Sequence, residues 1–289
     1  PGIFDGYIRQ IDAGGGDDVF VLHNIGGAGP HMIELNAGTH DQNGDFLILG
    51  DDGFNTFVNL QEGTVRYSGG ANAHFAISGF ENVIGSDSRD NIIGNDSVNT
   101  IDGGGGNDMI EGGAGNDIID GGTDNDTING GDDDDTIKGG DGNDTLEGGA
   151  GNDILDGGLD DDILVGGDDD DRLQGRSGDD ILYGGDGRDT LYGNFGDDLI
   201  YGGDKADAVR GSKGNDTVYG EGGNDNLFGD EGNDTISGGA GNDKLEGGEG
   251  ADVFIFSTGD GSDLIRDLNV HEDFIDLSGI VVPDLSYEE

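Results

Sequence analysis

From Asp90 to Asp252 an acidic side chain recurs at every ninth residue, with Asn99 as the single substitute, each behind glycine and two residues ahead of a large apolar side chain. Carboxylates and bare main-chain carbonyls are hard oxygen donors, and the chain contains no cysteine, so this spacing suits the capture of a hard divalent cation. Calcium fits the donor set better than zinc or copper, which favour softer ligands. It also fits better than magnesium, because a flexible loop of carbonyls does not enforce an octahedron. There is no HExxH, no GxSxG, no GxxxxGK[ST] and no twelve-residue EF-hand loop. Any two of the carboxylates would imitate an acid/base pair, but their regular repetition is better explained by a metal. The chain is therefore expected not to be an enzyme.

The phase of the repeat says which elements must position these groups. Residues 85–255 comprise 171 residues, which divide into 19 repeats of nine with no insertion. In the reference repeat, residues 112–120 (GGAGNDIID), a glycine-rich turn precedes three residues with an apolar one in the middle. That eighth position is apolar in every repeat, from Ile92 through Leu146 and Leu191 to Phe254. Biased composition alone would scatter these residues, which argues against a low-complexity linker. Glycine at the first, second and fourth positions allows a tight, partly left-handed turn. The last three residues are predicted to form a short strand with the eighth side chain inward and its neighbours outward. Two repeats make a coil of 18 residues, and coils stack strand on strand. The predicted fold is all-β, a right-handed parallel β-roll of nonapeptide repeats. Its core is a single file of Ile and Leu between two sheets, and its edges are two columns of turns. Asp108, Asp126 and Asp144 fall in one column, Asp117, Asp135 and Asp153 in the other.

Stacked carboxylates repel. At the spacing of adjacent strands, roughly 5 Å, two unit charges cost about 1 kcal/mol in water and about 3 to 4 at an intermediate dielectric. Ten repeats on one edge and nine on the other give 17 neighbouring pairs, 16 of them Asp against Asp. The summed repulsion exceeds the roughly 5 to 15 kcal/mol by which a domain is ordinarily stable. An intervening cation reverses the sign of each contribution.

The run resembles the RTX (repeats-in-toxin) family, whose signature is GGxGxDxUx with U a large apolar residue. The resemblance implies a β-roll with several Ca²⁺ ions between neighbouring turns, held by main-chain carbonyls and the sixth-position Asp. Carried onto this chain, the ligands would be Asp90, Asp108, Asp117, Asp126, Asp135, Asp144, Asp153, Asp162, Asp171, Asp180, Asp189, Asp198, Asp216, Asp225, Asp234, Asp243 and Asp252, with carbonyls at glycines such as Gly113, Gly115, Gly149 and Gly151. Asn99, Ser88 and Ser97 depart from the pattern and weaken the first sites. Lys205 and Ala206 depart too, and a lysine beside a cation site argues for a weak or empty one. Asp124, Asp133, Asp160 and Asp169 replace the fourth-position glycine, adding charge near the metal or straining the turn.

Residues 1–84 read as an irregular β-rich flank with two degenerate repeats, 13–21 (Asp18 sixth, Phe20 eighth) and 50–58 (Asn55 sixth). Short apolar runs at 31–35, 46–49, 64–67 and 74–77 are further strands. Histidines 23, 31, 40 and 74 lack zinc-binding spacing and are expected to be ordinary surface or packing residues. Residues 256–289 read as a capping segment, in which Asp260, Asp263, Asp267 and Asp276 are either further ligands or turn caps. A formal charge of −52 excludes nucleic acid as a natural partner, and no apolar run is long enough to span a membrane as a helix. With 31% hydrophobic residues a conventional core is not available, and the metal-free chain is expected to stay expanded.

One patch is not explained by calcium. By the 18-residue period, Tyr183, Tyr201 and Tyr219 line one sheet, and Tyr192, Arg210 and Phe228 line the other. Arg172, Arg176, Arg188, Lys205 and Lys213 lie in the same segment. The patch is either an aromatic ladder that stabilises the sheets or a face for an anionic extracellular polysaccharide. The resemblance implies a secreted or cell-surface bacterial module, passed extended through type I secretion machinery and folded by calcium outside. A polysaccharide-binding module of an epimerase, lyase or adhesin, and a surface-layer or adhesin spacer, are the alternatives.

Overall fold

The computed structural model describes residues 9–12, 18–22, 32–37, 44–50, 55–67 and 74–280, which fall into two compact units, residues 1–163 and 164–289. Histidines 23, 31 and 40 and residues 13–17 and 281–289 lie outside the described residues. Among the described residues there is no helix, hence none long and apolar enough to cross a membrane. Both units are parallel β-roll.

The repeat builds a longer strand than its three-residue β-forming tail predicts. Ile118–Thr123, Thr127–Asp132 and Thr136–Asp141 are each six residues, running from the seventh position through the third of the next repeat. Along Ile118–Thr123 the eighth position and the following glycine are both buried. Inward alternation thus continues across the repeat boundary, and a first-position glycine occupies the second inward place. A Cβ on Gly121 would lie 2.4 Å from Oδ2 of Asp126 and 2.7 Å from the Gly139 carbonyl, so only glycine leaves room. At the second position the need is conformational: Gly122 has φ +109°.

Parallel pairing joins repeats two apart. Ile118–Thr123 pairs with Thr136–Asp141, with Ile119 opposite Ile137 and Gly122 opposite Gly140, while Thr127–Asp132 pairs with Thr145–Ala150 in the other sheet. The same pairing recurs in the second unit, where Leu191 faces Leu173 and Val209, and Ile200 faces Leu182 and Val218. Every eighth-position side chain from Ile92 to Phe254 is at most 2% exposed, so the single-file core is complete within each unit.

The first unit carries this scheme into the N-terminal flank. Val19–Leu22, Phe46–Leu49 and Asn82–Ile84 form successive parallel rungs ahead of Thr100–Gly105, placing Phe20, Leu47, Val83 and Ile101 in one file. On the other sheet, Thr56–Asn59 pairs in parallel with Asp90–Asn95 but antiparallel with Thr64–Tyr67, which is antiparallel to His74–Ser78. Here the reading of 50–58 is corrected. Val58, not Phe57, is the inward residue opposite Ile92, and Thr56, not Asn55, stands opposite Asp90. A lone repeat carries no neighbours to fix its phase, and the antiparallel hairpin sets the register instead.

In the second unit the roll ends by adding one more strand to each sheet. Lys244–Glu249 pairs with Leu264–Ile265, and Val253–Ser257 pairs with Phe274–Gly279 through a register shift between Ile255 and Ser257. Phe274 remains 63% exposed, because no further strand covers this rung among the described residues.

Candidate metal-binding edges

Each sixth-position Asp is fixed by two ladders of hydrogen bonds along its edge. Its carbonyl accepts the N–H of the seventh-position residue two repeats later, as in Thr127 to Asp108 and Thr217 to Asp198. Its Oδ1 accepts the N–H of the sixth-position residue two repeats earlier. In the first unit Asp90 donates to Asp108, Asp108 to Asp126, and Asp117 to Asp135, at 2.7–2.8 Å. In the second, Asp171 donates to Asp189 and Asp216 to Asp234, both at 2.8 Å. Asp144, Asp153, Asp162, Asp180, Asp198, Asp225, Asp243 and Asp252 take the same place and, like the others, are no more than 3% exposed.

This arrangement uses one carboxylate oxygen and leaves the other. Oδ2 is buried and accepts no hydrogen bond in Asp108, Asp117, Asp126, Asp135, Asp144, Asp189, Asp198, Asp207, Asp216, Asp225, Asp234, Asp243 and Asp252. A buried carboxylate oxygen with no donor is costly, and a cation at this repeated position would relieve that cost. Loss of hydration pushes these carboxyls up, to about 7 for Asp126 and Asp135, and to about 8 for Asp108 and Asp198, where flanking aspartates add repulsion.

Among the described residues no three His, Cys, Asp or Glu side chains gather into a ready-made metal cluster. The remaining donors are main-chain carbonyls. A Cβ at Gly149, in second position, would meet the Gly131 oxygen at 2.1 Å, and one at Gly151, in fourth, the Asp133 oxygen at 2.3 Å. Gly113 and Gly115 stand in the equivalent places, against the Asn95 and Ser97 main chain. Carbonyls of one turn therefore lie close against the main chain of the turn stacked on it at these positions. Hard oxygens, one carboxylate per turn and no thiol fit calcium.

The departures from the pattern have separate outcomes. Asp90 is closed by protein donors, its Oδ2 accepting from both N–H and Oγ of Ser86. Asn99 is closed likewise, its Oδ1 taking the Asn95 N–H and its Nδ2 donating to the Glu81 carbonyl at 2.7 Å. These first two turns thus differ from the rest. Asp124, Asp133, Asp160 and Asp169 hold φ of +68° to +78°, so they bear left-handed strain, which aspartate tolerates better than most residues. Lys205 does the same at +71°, yet Asp207 beside it is 1% exposed and accepts the Asp189 N–H like its neighbours. Asp207, left out of the expected ligands, belongs geometrically with them.

Sequence reasoning also missed Asp45. It is fully buried, its Oδ1 accepts the Asp18 N–H at 2.6 Å, and its own N–H donates to Glu81. The available signal was its spacing two residues ahead of Leu47, the same as in the repeats. At the other end Asp263 and Asp273 accept the N–H groups of Asp243 and Asp252. Asp260 and Asp276 accept the nearby main-chain N–H groups of Ser257 and Ser278, as turn caps do, whereas Asp267 reaches back 19 and 20 residues to accept those of Gly248 and Gly247.

The aromatic patch has the expected register. Tyr183, Tyr201 and Tyr219 stack with centroids 5.0 and 5.1 Å apart at 6° and 15°. Arg210 lies 4.5 Å from the Phe228 centroid and donates from Nη1 to both carboxylate oxygens of Asp230, and Arg172 lies 5.9 Å from the Tyr192 centroid. The rings are thus stacked on one another and the arginine is paired within the sheet face.

The family model described as RTX calcium-binding nonapeptide repeat (4 copies) matches residues 75–110, 102–137, 129–164, 165–200, 201–236 and 228–265. A comparison with curated proteins finds no match.

Proposed function

Since the chain belongs to the RTX calcium-binding repeat family, we propose that it is a non-catalytic module in which calcium binding and folding are one event. The ions lie along both edges of the roll, and residues 1–84 and 256–289 flank the repeats. The ligands are the sixth-position carboxylates Asp108 to Asp252, with Asp207 included, together with carbonyls of second- and fourth-position residues such as Gly113, Gly115, Gly149 and Gly151. The buried, donorless Oδ2 atoms carry this reading. When bound, calcium supplies the positive charge that the stacked carboxylates lack. The chain's own part is to hold each Oδ1 on a main-chain N–H, which aims Oδ2 the same way in every turn.

In low calcium, repulsion within a chain of charge −52 keeps it extended, the form a narrow export channel accepts. Outside the cell, sites of this kind load at roughly 10⁻⁴ to 10⁻³ M calcium, and the roll forms there to serve a larger secreted protein. Titration of the chelated chain with calcium, followed by circular dichroism, tests this. Strand signal is expected to appear cooperatively with added metal, and a full strand signal in excess chelator at neutral pH overturns the proposal.

A further inference from the structure

Some of the chain's 12 lysines and arginines form ion pairs. Arg188 pairs with Asp170 at 3.1 Å, Arg210 with Asp230 at 2.6 Å and Lys213 with Glu231 at 3.6 Å. Arg66 and Arg89 are set together. Among the described residues neither has a carboxylate within ion-pair distance, and both line one hollow of about 290 Å³ on the first compact unit, with Phe57 and Asn91 between them. Two exposed guanidinium groups at one concavity concentrate positive charge in a chain with 64 acidic residues.

The register shows how the hollow is made. Phe57 is opposite Arg66 across the antiparallel hairpin and opposite Asn91 across the parallel pair. The three side chains therefore stand in a row on the outer face, and Arg89 enters from the turn just before the third strand. The Arg66 guanidinium carbon lies 5.4 Å from the Phe57 centroid. Such a contact orients the guanidinium through the ring without consuming its N–H donors. Asp90, which also lines the hollow, has its oxygens engaged by the N–H of Thr56 and by Ser86, and Arg89 lies near enough to Asp108 to attract it electrostatically. The hollow is thus lined by an aromatic ring and two exposed guanidinium groups, a combination that suits a planar anion.

We propose that this hollow binds a carboxylate borne on a ring with an apolar face, the acid group taken by Arg66 and Arg89 and the ring resting against Phe57. The site adjoins the first turn of one edge through Arg89 and Asp90 but uses none of the carboxylates assigned to calcium. The test titrates the calcium-loaded full chain with glucuronate and, separately, benzoate, with glucose and benzyl alcohol as uncharged counterparts, by calorimetry and amide chemical shifts around Phe57. Binding of glucuronate identifies a sugar acid and binding of benzoate an aromatic acid, and either supports the site if the uncharged counterpart binds at least about tenfold more weakly. Arg66→Gln and Arg89→Gln are each expected to weaken binding about tenfold or more with strand content unchanged. Should Arg66→Gln disturb folding, Arg66→Lys keeps the charge, loses the fork and is expected to bind at intermediate strength. Absence of shifts with both acids, or equal affinity in the folded variants, overturns the proposal.

Discussion

At the scale of one residue, the sixth-position aspartate has two oxygens with two duties, and substitutions separate them. Asp135→Asn keeps an acceptor for the Asp117 N–H but removes the charge, much as Asn99 does. The variant is expected to fold in calcium while binding about one ion fewer, as counted by calorimetry or metal analysis. Gly121→Ala tests the inward glycine: with Asp126 and the Gly139 carbonyl both inside contact distance, it is expected to destabilise the calcium-loaded roll by about 2 kcal/mol in denaturant titrations. The sixth-position aspartates were legible because the pattern repeats. Asp45 was not, since its turn shares only the Asp-to-apolar spacing. The closure of Asp90 by Ser86 depends on a side-chain contact that spacing alone does not reveal.

At the scale of an element, each turn column is a file of groups whose protonation answers to folding. Burial raises the folded carboxyls from 3.8 to about 6 in Asp144 and about 8 in Asp198, so without metal the folded chain holds more protons than the unfolded one. That contribution to stability is present below about pH 4 and lost as pH rises through about 6 to 8. The chelated chain is therefore expected to gain strand signal on acidification and lose it on return to neutrality. Molar sodium chloride at neutral pH is not expected to substitute, because screening reaches exposed charges far better than buried ones. On the sheets, Tyr201→Ala interrupts the tyrosine stack and is expected to cost about 1 kcal/mol of stability in calcium. The alternation of the roll was readable from the apolar positions. The doubled strand length was not, because glycine has low strand propensity in general, and here its missing side chain is what allows the strand to continue.

At the scale of the whole molecule, a repeat of constant phase makes both ends special and the middle uniform. The ends adapt by insertion: Asp263 and Asp273 stand 20 and 21 residues from their donors, where interior partners stand 18 apart. Composition foretold none of these insertions, whereas the interior followed from one period. Because hydrogen bonds between interior turns join residues about one coil apart, as Asp117 to Asp135 and Thr127 to Asp108, a coil is connected only to the coils directly above and below it. Length is then a free variable, open to change by duplication or loss without redesign of the interior. Excision of residues 127–144 would join Asp126 to Thr145, which stands where Thr127 stood. The shortened protein is expected to unfold at nearly the same temperature in saturating calcium and to bind about two fewer ions.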